Sequence, residues 1–294
     1  NTIVLNYKKS IRSFVNSVIT VFRHVDNHGV NVIHVHMFHT LLITSLIKLF
    51  KTDIKIISTL HNNYVPVRFR RWVLWLLKPF RDIDTIFSED ALQYFHKNVH
   101  KVIPNGIDIS EYVNSNKTRP KKPFSFIVIG RLEVMKNHTF LINIVNQLSD
   151  YDFHISIVGN GKLEQSLINK VSNLNLNHKI KFLGARRDVP NLLDQSDCLL
   201  LPSLWEGFPI VLLEAAACNI PVITTPVGSI STFVDNNNGY LTDLDGFKAA
   251  MVEVMSNYEK AKNKSRKLYD KVNSTYQIDN IVSQYESIYQ SNME

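Results

Sequence analysis

The chain has 294 residues, of which 45% are hydrophobic and 20% charged, a composition that excludes a disordered chain and suits about two globular domains. Long apolar runs such as "IVLLEAAACNIPVI" meet a charge or a proline before the roughly 20 residues that a spanning helix needs, so no transmembrane segment is predicted. The net charge of +7 favours an anionic partner, without distinguishing nucleic acid, phosphosugar and membrane surface.

Two features bear on the location of the protein. Cys198 and Cys218 stand in apolar contexts without CxxC spacing, which predicts buried thiols in a reducing compartment and hence a cytoplasmic protein. The opening "NTIVLNYKKSIRSF" has neither the pattern of a secretion signal nor an initiator methionine. We therefore expect the chain to begin inside a longer protein.

In chain order, β-branched runs alternate with segments that carry apolar residues at helical spacing. The first series of predicted strands is 2–6, 31–36, 54–60, 84–88 and 100–104, separated by helical patterns at 11–27, 38–50 and 68–80. A polar stretch with two prolines, 108–123, is the predicted domain boundary. The second series of predicted strands is 124–130, 153–159, 179–184, 198–202 and 221–225. A helical tail runs from about 246 to 294.

This alternation predicts an α/β protein with two doubly wound, Rossmann-like domains, each a parallel sheet covered by helices on both faces. Ligands of such domains bind outside the carboxyl ends of the strands. Candidate site residues are therefore sought in the segments that directly follow strands.

Two cations follow the strand "FSFIVIG". Arg131 leaves the strand and Lys136 comes five residues later, at the start of the next predicted helix. Free N–H groups at a helix N-terminus add partial positive charge, so this turn suits a diphosphate. A solvated basic turn is the alternative.

Glu206 and Glu214 are the only ionisable side chains in the apolar stretch "SLWEGFPIVLLEAAACNIPVITTP". Pro209 suits the first position of a helix, which places Glu206 on a loop and Glu214 inside the helix. A carboxylate has two acceptor oxygens and matches a vicinal diol, so one glutamate suits a sugar and the other a ribose. A salt-bridged core pair is the alternative, because an unpaired buried carboxylate is costly.

These residues carry a resemblance to a known family. "EGFPIVLLE" resembles the E-x7-E signature of the retaining glycosyltransferases of family 4, which have the GT-B fold. Five further segments resemble other sequence blocks of the family, in the same order: "VIPNGID", "GRLEVMKN", "IVGNGKLEQSL", "FLGARRDVPNLLDQSDCLLLPS" and "PVITTPVGSISTFV". The resemblance is strong over residues 100–294 and weak over residues 1–100.

The resemblance implies a role for each matching position. Arg131 and Lys136 would hold and stabilise the leaving diphosphate, and Glu206 would bind the transferred sugar. Glu214 would bind the ribose hydroxyls of the nucleotide. The other donor-binding positions that the resemblance implies are Gly207, Phe208, Pro209, Gly130 and Arg186.

The implied activity is metal-independent transfer of a sugar from a UDP- or GDP-linked donor to an acceptor hydroxyl, with retention at the anomeric carbon. The acceptor expected is a saccharide or a lipid-linked saccharide in glycan biosynthesis, and no nucleic-acid partner or further cofactor is expected. The predicted domains are an acceptor-side domain at 1–108, a donor domain at 109–275, and a C-terminal helix at 276–294 that packs back on the first domain. The family's first strand and glycine-rich loop have no counterpart before "TIVLN", so this chain is expected to keep the donor site and to lack part of the acceptor side.

Histidines follow strands in the first domain. His34 and His36 share one face of a strand. His61 directly follows the next predicted strand, 54–60. An HxH pair suggests a metal, but no acidic or third ligand stands at metal spacing, so no metal site is predicted. The resemblance places His61 among the catalytic residues, orienting sugar or acceptor.

The segment "VRFRRWVLWLLKPFR" at 67–81 is amphipathic when projected at helical spacing. Its basic arc carries Arg70, Arg71, Lys78 and Arg81, and Leu74 intrudes on that arc. The opposite arc is apolar and includes tryptophan. Two interpretations stay open: a helix that lies on anionic lipid at the inner face of the membrane, or a domain helix with a solvated basic face.

Other functions of doubly wound proteins fit less well. The segment "GNGKLE" has Glu164 where a nicotinamide-binding fingerprint needs its third glycine. A sugar-nucleotide epimerase shares the architecture but not the ordered blocks. A non-catalytic nucleotide-sugar-binding fragment remains the alternative from another class.

Overall fold

The computed structural model describes residues 5, 10–59, 61, 67–92, 99–112 and 122–291. Contacts group the chain into two compact units, one made of Asn1–Pro104 and Val282–Glu294, the other of Asn105–Ile281. The domain boundaries of the sequence analysis stay predictions. Among the described helices, none combines the length and the apolar character that crossing a bilayer requires.

The first unit is built around a parallel sheet. Its elements are α1 (Ile11–Asn27), β1 (Val32–Val35), α2 (Phe38–Lys48), β2 (Lys55–Thr59), α3 (Arg68–Leu76), β3 (Ile83–Ile86) and β4 (His100–Val102). The strands pair in the order β1-β2-β3-β4, all parallel. The four predicted strands in this region are confirmed, whereas the predicted strand at 2–6 lies almost wholly outside the described residues.

The second unit has a larger parallel sheet. Its strands are β5 (Phe124–Ile129), β6 (Phe153–Val158), β7 (Ile180–Gly184), β8 (Cys198–Leu201), β9 (Val222–Thr224) and β10 (Tyr240–Leu241). Its helices are α4 (His138–Gln147), α5 (Glu164–Asn173), α6 (Val189–Asp194), α7 (Ile210–Ala217), α8 (Ile230–Phe233), α9 (Leu244–Ser256) and α10 (Tyr258–Thr275), and α11 (Ile278–Gln290) starts here and ends in the first unit. The predicted strands are confirmed, and the two-residue β10 was not predicted.

The strand order of the second sheet is β10-β9-β8-β5-β6-β7, which is the doubly wound order. The chain reverses direction across the sheet between β5 and β8, so their carboxyl ends open a crevice where ligands bind in this architecture. Both faces are covered by helices, which is why strands such as "FSFIVI" are apolar without alternation. The predicted α/β fold class is confirmed.

The residues that α3 and the turn after it bury are not those that the amphipathic pattern at 67–81 indicates. Leu74, which intrudes on the basic arc, is only 1% exposed, and Arg81 from the same arc is 3% exposed. Part of the apolar arc is exposed, with Phe69 and Trp72 largely in solvent, and Arg70 from the basic arc is exposed as well. Arg81 therefore does not belong to a solvated basic face, and the two interpretations of this helix stay predictions.

The physical reason is the end of the helix. α3 stops at Leu76, and a 3-10 turn over Lys78–Phe80 contains Pro79, which has no N–H to continue an α-helix. A projection at helical spacing therefore misplaces everything after Leu76. Arg81 instead turns inward, forms a 2.7 Å ion pair with Asp84 and donates to the Leu74 carbonyl oxygen at 3.2 Å.

We predict that Arg81→Met lowers the free energy of unfolding by about 3–5 kcal/mol, because it leaves the buried Asp84 carboxylate without its cation. The matched control is Lys260→Met, which removes the exposed ion pair with Glu253 and should cost less than about 1 kcal/mol. Urea unfolding followed by circular dichroism measures both. Equal losses would contradict the assigned burial of the Arg81–Asp84 pair.

Candidate active site

The crevice of the second unit brings together two charges that are far apart in sequence. Lys136 follows β5 and Glu206 follows β8, and Lys136 Nζ lies 2.6 Å from Glu206 Oε1. The two side chains are only 13% and 6% exposed. The Ser203 hydroxyl donates to the same oxygen at 2.6 Å. The Glu206 carboxylate is therefore ion-paired and hydrogen-bonded at the point where the doubly wound order predicts a ligand.

The loop after β5 aims Lys136 into this crevice. Gly130 leaves room for the lysine, since a Cβ at this position would lie 3.0 Å from Lys136 Cε. A 3-10 turn over Val134–Lys136 ends at Asn137, whose left-handed φ of 54° redirects the chain into α4. Lys136 thus lies directly before a helix N-terminus. Arg131 does not join the ion pair, because its side chain is 69% exposed and 3.4 Å from Glu133.

The segment after Glu206 is held by its backbone and by one buried ring. Phe208 is 5% exposed, and its ring packs against Phe233 and Tyr276, with 5.6 Å between centroids in both cases. Pro209 is the N-cap of α7 and has extended backbone angles, so the helix begins at Ile210, one residue after the predicted start. Glu214 therefore lies inside α7, as the sequence indicates.

A second loop, which sequence reasoning did not assign, shapes Gly207. Ser229 follows β9, and its backbone N–H donates to the Gly207 carbonyl oxygen at 3.1 Å, with its hydroxyl donating to the same atom. Gly228 has a φ of +59°, and a Cβ there would lie 2.1 Å from the Glu206 carbonyl oxygen. The short segment "VGS", which begins three residues after the last residue of a strand, was available in the sequence.

Glu214 has a different environment from Glu206. It is partly buried and forms no ion pair with a described residue, and the Tyr112 hydroxyl donates to its Oε1 at 3.2 Å. Burial raises the pKa of Glu214, and the hydrogen bond from Tyr112 acts in the opposite direction. The salt-bridged alternative thus describes Glu206, with Lys136 as partner, and does not describe Glu214.

Arg186 follows β7 and is exposed. Its guanidinium forms two hydrogen bonds with Asp188, at 2.8 and 2.7 Å, and these bonds raise its pKa. No described contact links Arg186 to the residues around Lys136. Its predicted place beside the nucleotide base stays a prediction.

The histidines of the first unit cluster at the carboxyl ends of β1 and β2. His36 Nδ1 lies 3.2 Å from His61 Nε2, and the two rings stack at 5.3 Å. His34 is enclosed between the Tyr289 hydroxyl at 2.7 Å and the Thr59 hydroxyl at 2.6 Å, and burial lowers its pKa to about 4. Across the part of the chain that the structure describes, no group of three or more potential ligands could hold a metal ion.

We predict that Gly228→Ala destabilises the protein more than Gly29→Ala. The two glycines have the same φ of +59°, but a Cβ at Gly29 has no neighbour within 4 Å. Gly29→Ala should cost only the left-handed backbone penalty of about 1–2 kcal/mol. Gly228→Ala should cost about 2–5 kcal/mol, because the clash with Glu206 adds an overpacking penalty. Thermal unfolding of both variants measures the difference, and equal shifts would contradict the close contact of the two loops.

Two known families match the sequence of this chain. The family profile "Glycosyl transferases group 1" matches residues 111–272, more than half of the chain, and "Glycosyltransferase Family 4" matches residues 3–111. The chain is 31% identical over 205 residues to the UDP-Gal:alpha-D-GlcNAc-diphosphoundecaprenol alpha-1,3-galactosyltransferase of Escherichia coli, covering 63% of this chain and 53% of that protein. The chain thus spans about half the length of that relative.

A second relative matches more of the chain. The N-acetyl-alpha-D-glucosaminyl L-malate synthase of Bacillus anthracis is 28% identical over 284 residues, covering 89% of this chain and 74% of that enzyme. Among solved structures, Anabaena Alr3699/HepE in complex with UDP has a TM-score of 0.82 at 21% identity, covering 93% of this chain and 82% of that one. Sucrose-phosphate synthase from Thermosynechococcus elongatus has a TM-score of 0.87 at 17% identity, covering 99% and 82%.

These structural likenesses show the fold, which is GT-B, as the sequence resemblance implies. The family profile shows the class of enzyme. The chain belongs to the group 1 glycosyl transferases.

Proposed function

We propose that this chain carries the donor site of a retaining glycosyltransferase that moves a hexosyl-type sugar from a nucleotide sugar to an acceptor hydroxyl. The observation that carries the proposal is the buried Lys136–Glu206 pair at the crevice between β5 and β8. A lysine ammonium has three donors, so it can bind a phosphate oxygen while it still contacts Glu206. Glu206 Oε1 accepts hydrogen bonds from Lys136 and Ser203, and the other carboxylate oxygen suits a sugar hydroxyl.

The chemistry follows from where charge develops. As the bond between the anomeric carbon and the phosphate oxygen breaks, negative charge grows on the leaving nucleoside diphosphate. Lys136 and the N-terminus of α4 supply positive charge at fixed positions, which suits this transition state without a metal. Arg131, which is exposed beside Glu133, is proposed as a second cation for the diphosphate. The acceptor oxygen bonds to the same face of the sugar, and the departing phosphate oxygen takes the acceptor proton.

Relatives support the choice of substrates. The printed name of the Escherichia coli relative includes UDP-Gal and a diphosphoundecaprenol-linked acceptor, and a Campylobacter jejuni relative acts on a diphospho-undecaprenol-linked saccharide. Solved Anabaena structures hold UDP and UDP-glucose. We therefore propose a UDP sugar as the donor, ahead of a GDP sugar, and a lipid-linked saccharide as the acceptor.

The two glutamates should separate binding from transfer. Glu214→Ala should weaken UDP binding about tenfold or more, since a charge-assisted hydrogen bond is worth about 1.5–3 kcal/mol. Glu206→Gln, which keeps the shape, should leave UDP affinity nearly unchanged and abolish sugar transfer. Calorimetric titration with UDP and a radiolabelled transfer assay measure the two effects, and Glu253→Gln is the exposed control.

A thermal-shift screen of UDP and GDP sugars tests the class of ligand, because a ligand at 100 times its Kd adds about 2.7 kcal/mol. If no nucleotide shifts the unfolding of the wild-type chain, the proposal is wrong. If UDP sugars bind but no sugar is transferred to a lipid-linked saccharide, the chain is a non-catalytic nucleotide-sugar-binding protein instead.

We further propose that α3 docks on an anionic membrane at its cytoplasmic face. Phe69, Trp72 and Trp75 are 66%, 56% and 54% exposed, which is a large apolar face for a protein surface. Exposed Arg68 and Arg70 stand on the same short helix, and the Arg70 guanidinium lies 5.6 Å from the centre of the Phe38 ring. Aromatic and basic side chains together match an interface of acyl chains and anionic headgroups.

Sedimentation with lipid vesicles tests the docking. The variant Phe69→Ser with Trp72→Ser should lower the vesicle partition coefficient by about a hundredfold or more, since each aromatic side chain contributes roughly 1.5–3 kcal/mol when buried. Arg68→Glu with Arg70→Glu should remove the preference for phosphatidylglycerol over phosphatidylcholine. Ile11→Ser, an exposed apolar residue on α1, and Lys267→Glu, an exposed cation of the second unit, are the controls. Equal binding by all variants would rule out α3 as the docking surface.

A further inference from the structure

The Glu214 carboxylate has a tyrosine as its described partner. Tyr112 donates its hydroxyl to Glu214 Oε1 at 3.2 Å, and Glu214 forms no ion pair with any described residue. Phenol hydroxyls donate one hydrogen bond, so Tyr112 occupies one acceptor position and leaves Oε2 for another donor. The carboxylate is thus oriented by a hydrogen bond to Oε1, and its Oε2 can accept from a ligand.

Tyr112 is not a loosely held surface residue. It ends a strap, residues 105–112, that is bonded to the body of the second unit along its length. The strap's contacts are Asn105 Nδ2 to the Phe208 carbonyl oxygen at 2.9 Å, the Ile107 N–H to the Tyr276 carbonyl oxygen at 2.9 Å, and the Ile109 N–H to Gln277 Oε1 at 3.2 Å. The same hydrogen-bonded segment therefore contacts both the Phe208 backbone and the carboxylate inside α7.

The environment of Glu214 makes such a partner chemically useful. An ionised carboxylate can accept from both hydroxyls of a diol, whereas a protonated one must use an oxygen as a donor. Burial raises the pKa of Glu214, and the hydrogen bond from Tyr112 lowers it. The other titratable groups that interact with Tyr112 are Glu111 and Cys218, and neither supplies a positive charge. Tyr112 is thus the group that favours the ionised, oriented carboxylate.

We infer that Tyr112 is a positioning residue of the nucleotide site, holding Glu214 so that its second oxygen meets the vicinal diol of a ribose. This inference rests on the proposed function, in which Glu214 binds the nucleoside. The strap, which lies outside the E-x7-E segment, would thereby take part in nucleotide recognition.

The test compares UDP affinities of variants by calorimetric titration. Tyr112→Phe keeps the ring and removes the donor, and we expect UDP to bind about tenfold more weakly, within the range for a hydrogen bond to a charged group. The loss should be smaller for 2′-deoxy-UDP, which already lacks one hydroxyl of the diol. Tyr151→Phe, an exposed tyrosine of the same unit, is the matched control and should bind UDP like the wild type.

Two further measurements separate positioning from general damage to the fold. In the Glu214→Ala background, Tyr112→Phe should have no additional effect on UDP affinity, because the two residues act through one contact. Since losing the hydrogen bond raises the pKa of Glu214, the fall in UDP affinity on acidification should begin at a higher pH in Tyr112→Phe than in the wild type. A merely structural change would lower affinity at every pH alike.

Wild-type UDP affinity in Tyr112→Phe with an unchanged pH profile would overturn the inference, and so would an equal loss in the Glu214→Ala background. In either case Glu214→Ala would still weaken UDP binding, so the proposed function would stand. If the wild-type chain bound neither UDP nor GDP, or if Glu214→Ala bound as the wild type does, the proposed function would fail and the inference with it.

Discussion

The buried ion pair between Lys136 and Glu206 is the interaction on which the candidate site depends. Either charge alone would be strongly destabilising at this depth, so each requires the other. They meet because β5 and β8 are neighbours in the sheet although 70 residues separate the two side chains. The strand order therefore creates the site, and the loops that follow each strand only refine it.

The loops and helices after the strands give the two glutamates, Glu206 and Glu214, different surroundings. Glu206 stands on a loop that is shaped by Gly228 and Ser229, next to a cation and a helix N-terminus, where a diphosphate and its departing charge would be stabilised. Glu214 stands inside α7 with an uncharged hydroxyl as partner, which suits a neutral diol. A charged environment for Glu206 and an uncharged one for Glu214 follow from a difference between loop and helix, and they support the separate roles proposed for the two carboxylates.

The first unit shows how a surface can be misjudged from a pattern. The amphipathic pattern at 67–81 is real, but Phe69 and Trp72 of its apolar side are exposed, whereas Leu74 and Arg81 of its basic side are buried. The buried partner of Arg81 is Asp84, near the start of the next strand. An exposed row of aromatic side chains beside arginines is the result, and it supports contact with lipid headgroups.

Periodicity by itself determined the alternation of strands and helices, the parallel sheets and the position of each glutamate on loop or helix, because these depend on neighbours along the chain. The family blocks indicated which side chains to examine. Only the tertiary structure decided the partners: Lys136 for Glu206, Tyr112 for Glu214, and Ser229 for Gly207. It also decided which face of α3 is buried. These contacts join segments that the strand order brings together, and sequence spacing carries no information on which loops a sheet will place side by side.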